Sequence, residues 1–549
     1  MRVFTNCPEF EYAAKVAQKR FAYRDVFEPG ATTLEIIKDT NLEEDEFHLG
    51  NGKLYTSTLL GAFHGCGRYL RGCQYAFSRG GFTPNREVIE VKPHAAYRGV
   101  YMASHFHNYY HVAPIDELTE YLEDLALWGW KYVKLDFPLI DIESATDPEV
   151  DIQTERHRQI YAAAHKIGMK IVVSLPVNFV YKDFPEEWRA AKHNDPFFRR
   201  GNTGNVICLE KDGAREYMDE VIDDLCSRFS DFDPDILTTW PYDEGGCGCP
   251  ECAPWGAKGY IKGSKRTFEI ARKYFPNAKR LIATWGFDVP WEGEWEALDD
   301  SLEDEKWCDV IMTDAHEDFP RYPLDVHIPG DLPMITFPEI SMWGLFPWGG
   351  WGATMLPERL SKLYTQLEGK AQGCLLYSEG LYEDFNKAVE SQFYLLDKVD
   401  WRETAREYAR YELGIPDVDA FIRLVELVEK THTDVAETGK CNVMDARRAY
   451  ALAKDLEVLM PEWGKKCWRW RMIYIRCEVD AIRYTLAEQK LKEGIEIGNE
   501  HGKSSSNWEE LLLNEPLVQK DFKELMSMFH CSEKKMNDPY HDRVRPMCP

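Results

Sequence analysis

The chain has 549 residues and is strongly acidic, since 66 Lys and Arg residues stand against 93 Asp and Glu residues and give a formal net charge of −27. This charge argues against nucleic acid as a partner, because proteins that bind a phosphate backbone present a basic face. Hydrophobic residues make up 44% of the chain and charged residues 29%, which excludes a disordered protein. Its apolar runs are far shorter than the roughly 20 residues that cross a bilayer, so we expect no membrane partner.

Cysteine and aromatic usage give two further indications. Residues 1–10 contain no apolar signal segment, and 15 cysteines in a long chain do not resemble the disulfide framework of a small secreted domain. We therefore expect reduced thiols and a cytoplasmic location. The 17 Trp, 28 Tyr and 27 Phe residues make up 13% of the chain. This content favours sugar binding, because pyranose faces stack on aromatic rings.

Residues 1–94 predict a small α/β domain. Residues 47–49 and 53–58 flank a Gly50-Asn51-Gly52 turn and predict a β-hairpin. Residues 61–71 predict a helix packed on that hairpin, and residues 88–93 predict a strand that leads out of the domain.

Residues 95–390 alternate short apolar runs with amphipathic stretches. The runs are almost continuously apolar, which is typical of parallel strands buried on both faces. They lie at residues 98–104, 131–137, 170–175, 236–240, 280–285, 309–313, 333–337 and 373–377. Eight such strands with helices between them predict a (β/α)₈ TIM barrel. A doubly wound sheet is the alternative, but no Gly-rich phosphate turn follows the first strand.

Residues 391–549 predict a helical domain. Trp468, Met472, Ile475, Val479, Ile482 and Leu486 recur at spacings of four and three residues. Such a stripe packs either against the barrel or against a second subunit of a homo-oligomer, and we favour packing within the chain.

Candidate functional residues follow the predicted barrel strands, because reactive groups of this fold lie at the carboxyl ends of its strands. Carboxylates, imidazoles and indoles predominate there, and Glu379 follows the eighth strand. The residues that we expect to contact a substrate are His105, Asp136, Trp285, Asp314, His316, Glu339 and Trp343. This set suits the hydrolysis of glycosides, which requires one protonated and one ionised carboxyl group.

The segment at residues 240–246, Trp-Pro-Tyr-Asp-Glu-Gly-Gly, gives the strongest local indication of catalysis. Neighbouring side chains on a strand point to opposite faces, so Asp243 and Glu244 reach one pocket only if the chain leaves strand geometry. Gly245 and Gly246 can adopt the backbone angles that this requires. Aromatic neighbours exclude water and raise the pKa of a carboxyl group, as a general acid needs.

Several of these segments resemble the catalytic barrels of family 20 glycoside hydrolases, the β-N-acetylhexosaminidases. Residues 98–106 resemble their Arg-Gly first strand and His-Phe turn, and residues 114–136 resemble the helix that leads into the second strand. Asp243 and Glu244 stand where the family has an Asp-Glu pair after the fourth strand. Residues 45–70 resemble the small domain that precedes such barrels, and the likeness extends over residues 40–390.

The resemblance implies retention of configuration by substrate-assisted catalysis. Asp243 would then orient the acetamido group of the substrate, Glu244 would act as acid and base, and Arg98 would hold sugar hydroxyls. The chain departs from the family pattern at Ala103 and Ser104, where an Asp is expected, and at residues 175–178, where a Pro-Gly-His turn is expected.

A cysteine cluster follows the acidic pair directly. Cys247, Cys249 and Cys252 form a Cys-x-Cys-x-x-Cys pattern that can supply three ligands of a structural zinc ion. The fourth ligand is not apparent from the spacing. Three reduced thiols packed in a tight loop are the alternative.

The sequence therefore predicts a retaining glycosidase that removes β-linked N-acetylhexosamine, or a related sugar, from an oligosaccharide or glycoside. We expect no cofactor in the chemistry itself. One alternative is a glycosidase for a uronic acid or neutral hexoside, with Glu244 as acid/base and Glu339 as nucleophile. The other alternative is a protein that binds carbohydrate but does not hydrolyse it.

Overall fold

A computed structural model gives the fold, and its described residues exclude a set of short segments and the carboxyl-terminal tail. The described residues are 2–24, 33–75, 82–104, 108–192, 204–242, 245–289, 291–315, 325–338, 340, 353–367, 369–396, 399–438, 442–492 and 512–530.

A mixed β-sheet with two helices forms the first part of the chain. The strands are β1 Arg2–Thr5, β2 Thr33–Lys38, β3 Phe47–Gly50, β4 Lys53–Thr56 and β5 Ile89–Val91, and the helices are α1 Glu11–Ala22 and α2 Leu59–Gly72. Among the described residues the strand order is β1-β2-β4-β3-β5. The predicted hairpin is β3–β4, in which Leu49 is opposite Leu54, and the predicted helix and exit strand are α2 and β5. The small amino-terminal α/β domain is thus confirmed.

Eight parallel strands in the described chain close into a barrel, which confirms the predicted fold. They are β6 Tyr97–Met102, β7 Tyr132–Leu135, β8 Lys170–Leu175, β9 Ile236–Thr239, β10 Lys279–Ala283, β11 Val310–Ala315, β12 Met334–Pro338 and β13 Gly373–Ser378. The barrel closes through pairing of β13 with β6. All residues of β6, β12 and β13 are buried, as expected for strands covered on both faces.

Helices cover the outside of the barrel. They are α3 Tyr109–Val112, α4 Ile115–Trp128, α5 Pro148–Ile167, α6 Ala214–Arg228, α7 Gly259–Ala271, α8 Glu294–Asp304, α9 Pro357–Leu367 and α10 Asp384–Leu395. In α5, the Asp147 carboxylate accepts a hydrogen bond from the Glu149 amide at the start of the helix. Gly168 ends it with φ of 87°, a conformation that glycine adopts without strain.

The last part of the described chain is helical, as predicted. Its helices are α11 Trp401–Tyr408, α12 Val418–Thr438, α13 Val443–Leu459, α14 Glu462–Lys466, α15 Trp468–Lys492 and α16 Pro516–Phe529. Met472, Ile475 and Val479 of the predicted stripe are buried within this chain. Arg469 at the start of α15 pairs with Asp384 at 2.7 Å and with Asp124 at 3.0 Å, which joins α15 to helices of the barrel.

The predicted domain limits remain predictions. The limit at 94/95 falls between β5 and β6, whereas the limit at 390/391 falls inside α10. Among the helices of the described residues, none is long and apolar enough to cross a membrane.

Candidate active site

An aromatic layer closes the barrel interior near the carboxyl ends of its strands. It consists of Tyr101, Trp240, Trp285, Phe337 and Tyr377. The ring centroids of Trp240 and Phe337 are 4.9 Å apart, although their strands are not neighbours in the barrel. Rings from non-adjacent strands meet only inside the barrel. The layer therefore forms the bottom of the space in which this fold carries its active sites.

Trp240 and Trp285 form the indole face of this layer. Their rings are stacked at 6.0 Å with an angle of 26° between the ring planes. Trp285, which the sequence predicted as a substrate contact, is 5% exposed, while Trp240 is half-buried. A partly exposed indole at the bottom of a pocket offers a flat apolar face to a sugar ring.

A buried lysine lies against the same layer. The ammonium nitrogen of Lys134 is 3.3 Å from the ring centroid of Tyr101, and it donates to both carboxylate oxygens of Asp136, at 2.8 and 2.7 Å. Burial lowers the pKa of Lys134, and Asp136 partly opposes that change. The predicted residue Asp136 keeps 14% of its side chain exposed. Lys134 has a sequence signal that our prediction did not use: it lies two residues before Asp136 in the predicted strand at residues 131–137, which puts both side chains on one face.

The loop that carries Asp243 and Glu244 leaves the barrel directly from the aromatic layer. These two residues lie outside the described residues, but both flanks of the pair are described. Trp240 belongs to the layer, and the carbonyl oxygen of the next residue, Pro241, accepts a hydrogen bond of 2.6 Å from the Trp255 indole. The first flank is thereby fixed to the loop that precedes α7.

Asn178 holds the other flank. Its side-chain amide donates to the carbonyl oxygens of Gly246 at 3.0 Å and Ile207 at 2.9 Å, and its Oδ1 accepts from the Gly246 amide at 3.2 Å. A Cβ at Gly245 would lie 2.8 Å from the Pro241 carbonyl oxygen, and Gly246 has φ of 128°. Both glycines are therefore required by this turn, as the sequence indicated.

Glu294 contacts Tyr242, the last described residue before the acidic pair, and the segment that precedes α7. Its fully buried carboxyl group contacts the Tyr242 hydroxyl and accepts from the Gly256 amide at 2.7 Å and the Asp288 amide at 3.1 Å. Burial raises the pKa of Glu294 to about 7, although these hydrogen bonds oppose the change. The sequence analysis missed Glu294 because it starts a helix about 50 residues along the chain from Tyr242.

Glu379 adds a carboxylate beside the aromatic layer, directly after β13. It accepts hydrogen bonds of 3.0 Å from the hydroxyls of Tyr377 and Tyr382. Its own amide donates to the Glu383 carboxylate at 3.0 Å. Glu379 is 6% exposed, and the sequence analysis gave it a place after the eighth strand but no role.

The structure gives Arg98 surroundings that differ from the expected sugar contact. Arg98 is the second residue of β6, at the amino end of the strand, and is fully buried. Its guanidinium pairs with Asp45 and donates to the carbonyl oxygens of Gly129 and Ala95. These contacts fasten the first domain to the barrel at the end opposite the aromatic layer. We therefore assign Arg98 a structural role and leave it out of the proposed sugar site.

Five other residues were predicted to contact a substrate. His105, His316, Glu339 and Trp343 lie outside the described residues. Asp314 belongs to β11, where it pairs with Phe337 of β12, and its side chain is outside the description.

The predicted cysteines do come together, and a fourth joins them. The thiols of Cys247, Cys249 and Cys252 lie with that of Cys208, all four sulphur atoms within 4.8 Å of one another. Cys208 precedes Cys249 by 41 residues. It lies in a segment without other cysteines, so the spacing gave no signal for it.

Comparison with known proteins identifies the fold but not a family. No protein-family model matches the chain, and no curated protein matches it in sequence. Solved structures that resemble it are glycoside hydrolases of several families, at sequence identities that support only a shared fold.

A family 89 glycoside hydrolase from Clostridium perfringens, in complex with 2-acetamido-1,2-dideoxynojirmycin, matches with a TM-score of 0.61 at 12% identity. That match covers 88% of this chain and 63% of the other, so this chain spans less than two thirds of that protein. A family 138 enzyme targeting pectin rhamnogalacturonan II matches with a TM-score of 0.58 at 11% identity, over 96% of this chain and 74% of the other. A family 20 exo-β-N-acetylglucosaminidase from Vibrio harveyi, in complex with N-acetylglucosamine, matches with a TM-score of 0.51 at 12% identity, over 78% and 74%. The chain thus has the barrel fold that glycoside hydrolases of several families use.

Proposed function

We propose that the protein is a retaining glycoside hydrolase that removes terminal β-linked N-acetylhexosamine from oligosaccharides or glycosides. The observation that supports the proposal is the anchoring of both flanks of the Asp243-Glu244 pair after β9, the fourth barrel strand. The carbonyl oxygens of Pro241 and Gly246 accept hydrogen bonds from Trp255 and Asn178. Trp240, just before the first flank, belongs to an aromatic layer on which a sugar ring can stack.

The proposed reaction uses the acetamido group of the substrate as nucleophile. Its carbonyl oxygen attacks the anomeric carbon while Glu244 protonates the leaving oxygen, so the glycosidic bond breaks as the ring of an oxazolinium ion forms. Asp243 accepts a hydrogen bond from the acetamido N–H and stabilises its developing positive charge. Glu244 then removes a proton from a water molecule, whose oxygen bonds to the anomeric carbon as the bond from that carbon to the acetamido oxygen breaks. The second inversion restores the original anomeric configuration.

The residues around the pair give the site its remaining contacts. Asp136 keeps part of its carboxylate exposed beside Lys134, and a carboxylate in that position can bind sugar hydroxyls. Trp240 and Trp285 supply the apolar face.

The second candidate is direct displacement, with Glu244 as acid/base and Glu339 as nucleophile. The order of the chain supports this alternative, because Glu244 comes after β9, the fourth barrel strand, and Glu339 directly follows β12, the seventh, and reacting groups of this fold follow the carboxyl ends of its strands. The reaction would then need no acetamido group.

A panel of aryl glycosides distinguishes the two candidates. We expect release from the β-N-acetylglucosaminide or β-N-acetylgalactosaminide, and its loss in Glu244→Gln. Release only from the β-glucuronide or β-glucoside, lost in Glu339→Gln, would replace the acetamido mechanism with direct displacement. Binding of these sugars without release from any of them would instead favour a carbohydrate-binding protein.

A further inference from the structure

Four cysteine thiols converge beside the loop that carries the proposed catalytic pair. The sulphur of Cys208 is 3.7 Å from that of Cys249 and 3.9 Å from that of Cys252. Together with Cys247, they lie within 4.8 Å of one another. Cys208, Cys247 and Cys252 are buried, and Cys249 is half-buried.

These separations match the edges of a metal–thiolate tetrahedron. Zinc bonds thiolate sulphur at about 2.3 Å, which places the sulphur atoms of a regular tetrahedron about 3.8 Å apart. Four thiols that merely fill a core have no reason to converge on one point, because each would pack equally well against carbon. The chemistry of the set is that of a closed structural site, with four cysteines and no position left for a water molecule.

The backbone supports the cluster as it supports known thiolate centres. Amide groups of Glu210 and Cys249 hydrogen bond to the sulphurs of Cys208 and Cys247, respectively. Between Cys249 and Cys252 the chain makes a tight turn, in which the Cys252 amide donates to the Cys249 carbonyl oxygen at 3.1 Å. The hydrogen bonds from amide groups to sulphur orient the ligands and offset the negative charge on the sulphur atoms.

We propose that Cys208, Cys247, Cys249 and Cys252 bind one structural Zn²⁺ ion. The ion would join two segments that are distant in the chain. Cys208 lies on the extended segment that pairs with Phe179 and Arg189, and the other three ligands directly follow Gly246. The zinc centre therefore fixes the carboxyl flank of the Asp243-Glu244 loop, and it has no role in bond cleavage.

Metal content of the purified full-length protein tests this proposal without reference to glycosidase activity. Elemental analysis is expected to find about one zinc ion per chain in the wild type. Cys208→Ser and Cys249→Ser are expected to lose most of it. Cys226→Ser is the matched control, since Cys226 is a buried cysteine on α6, and it should keep the zinc.

A second measurement serves if the cysteine variants do not fold. Titration of the wild type with an organic mercurial should release zinc to a chromogenic chelator in step with modification of the cluster thiols. Reconstitution with Co²⁺ should give the visible absorption of a tetrahedral thiolate complex. Wild-type protein with no zinc, with iron in its place, or with a disulfide between two of these cysteines would overturn the proposal. A zinc-loaded protein without hydrolase activity would leave the zinc site standing and contradict only the proposed function.

Discussion

Two buried ion pairs lie at opposite ends of neighbouring barrel strands. Arg98 of β6 pairs with Asp45 at the amino end, and Lys134 of β7 pairs with Asp136 at the carboxyl end. Both cations are enclosed, but their surroundings differ. Arg98 donates to backbone carbonyl oxygens as well as to Asp45, whereas Lys134 lies against the Tyr101 ring and donates to both carboxylate oxygens of Asp136.

The difference separates a structural end of the barrel from a reactive one. Burial opposes ionisation of Asp45, but Arg98 and Lys131 outweigh it and hold the pKa of Asp45 well below its usual value. The Arg98–Asp45 pair is enclosed by protein groups and joins the first domain to the barrel. At the other end, Asp136 directly follows β7, and this is the end where barrels of this fold carry their chemistry.

The largest expected effect comes from breaking the amino-terminal pair. Arg98→Met should lower the free energy of unfolding by about 3–5 kcal/mol, because it leaves the Asp45 carboxylate buried without its main partner. Urea denaturation followed by circular dichroism measures this loss. Arg266→Gln is the control, since Arg266 pairs with Asp219 at the surface, and its cost should stay below about 1 kcal/mol. If Arg98→Met kept the stability of the wild type but bound sugar more weakly, Arg98 would be a sugar contact and not a structural residue.

Glu294 offers a contrasting buried carboxyl group, whose hydrogen-bond donors are the Tyr242 hydroxyl and the backbone amides of Gly256 and Asp288. Its folded-state pKa of about 7 lies above the ordinary 4.5, so the folded protein holds this proton more tightly than the unfolded chain. The stabilisation is fully present below about pH 4.5 and is lost as the pH rises through about 7. On the order of 3 kcal/mol is expected over this window.

Urea unfolding across that pH range, with Glu294→Gln beside the wild type, measures the contribution. The wild type should lose stability relative to the variant as the pH rises. Glu292→Gln, at an exposed position two residues before Glu294, should follow the wild type. Parallel profiles for wild type and Glu294→Gln would show that folding does not raise the pKa of this carboxyl group.

A smaller effect, confined to function, is expected at the carboxyl-terminal pair. Asp136→Asn should lower kcat/KM by about 10- to 100-fold, the cost of losing a hydrogen bond to a charged group. Steady-state kinetics on the substrate found in the glycoside panel measures it. Asp235→Asn is the matched control, because Asp235 forms a lysine pair with Lys170 at the amino end of the barrel, and its kcat/KM should be unchanged. Equal losses in both variants would remove the distinction between the two ends.

The barrel could be predicted from sequence because its strands are continuous apolar runs, and each observed strand begins and ends within two residues of its prediction. The strands β1 and β2 were missed, because they pair in parallel with α1 between them, so no short turn marks them as the Gly-Asn-Gly turn marks the β3–β4 hairpin. The site was predicted only in part. Asp136 and Trp285 come within two residues of the end of a strand, so their places could be predicted. Glu294 and Cys208 contact the segment after β9 from distant parts of the chain, and the spacing of residues in the sequence does not indicate such contacts.

The role of Glu244 as general acid is tested most directly by varying the leaving group. We would compare kcat/KM of wild type and Glu244→Gln on a β-N-acetylglucosaminyl disaccharide and on the 2,4-dinitrophenyl β-N-acetylglucosaminide. The disaccharide needs a proton to depart, so the variant should lose about 10²- to 10⁴-fold on it, whereas the dinitrophenolate departs unprotonated and the variant should retain most of its activity there. Equal losses on both substrates, or no loss on either, would contradict the assignment.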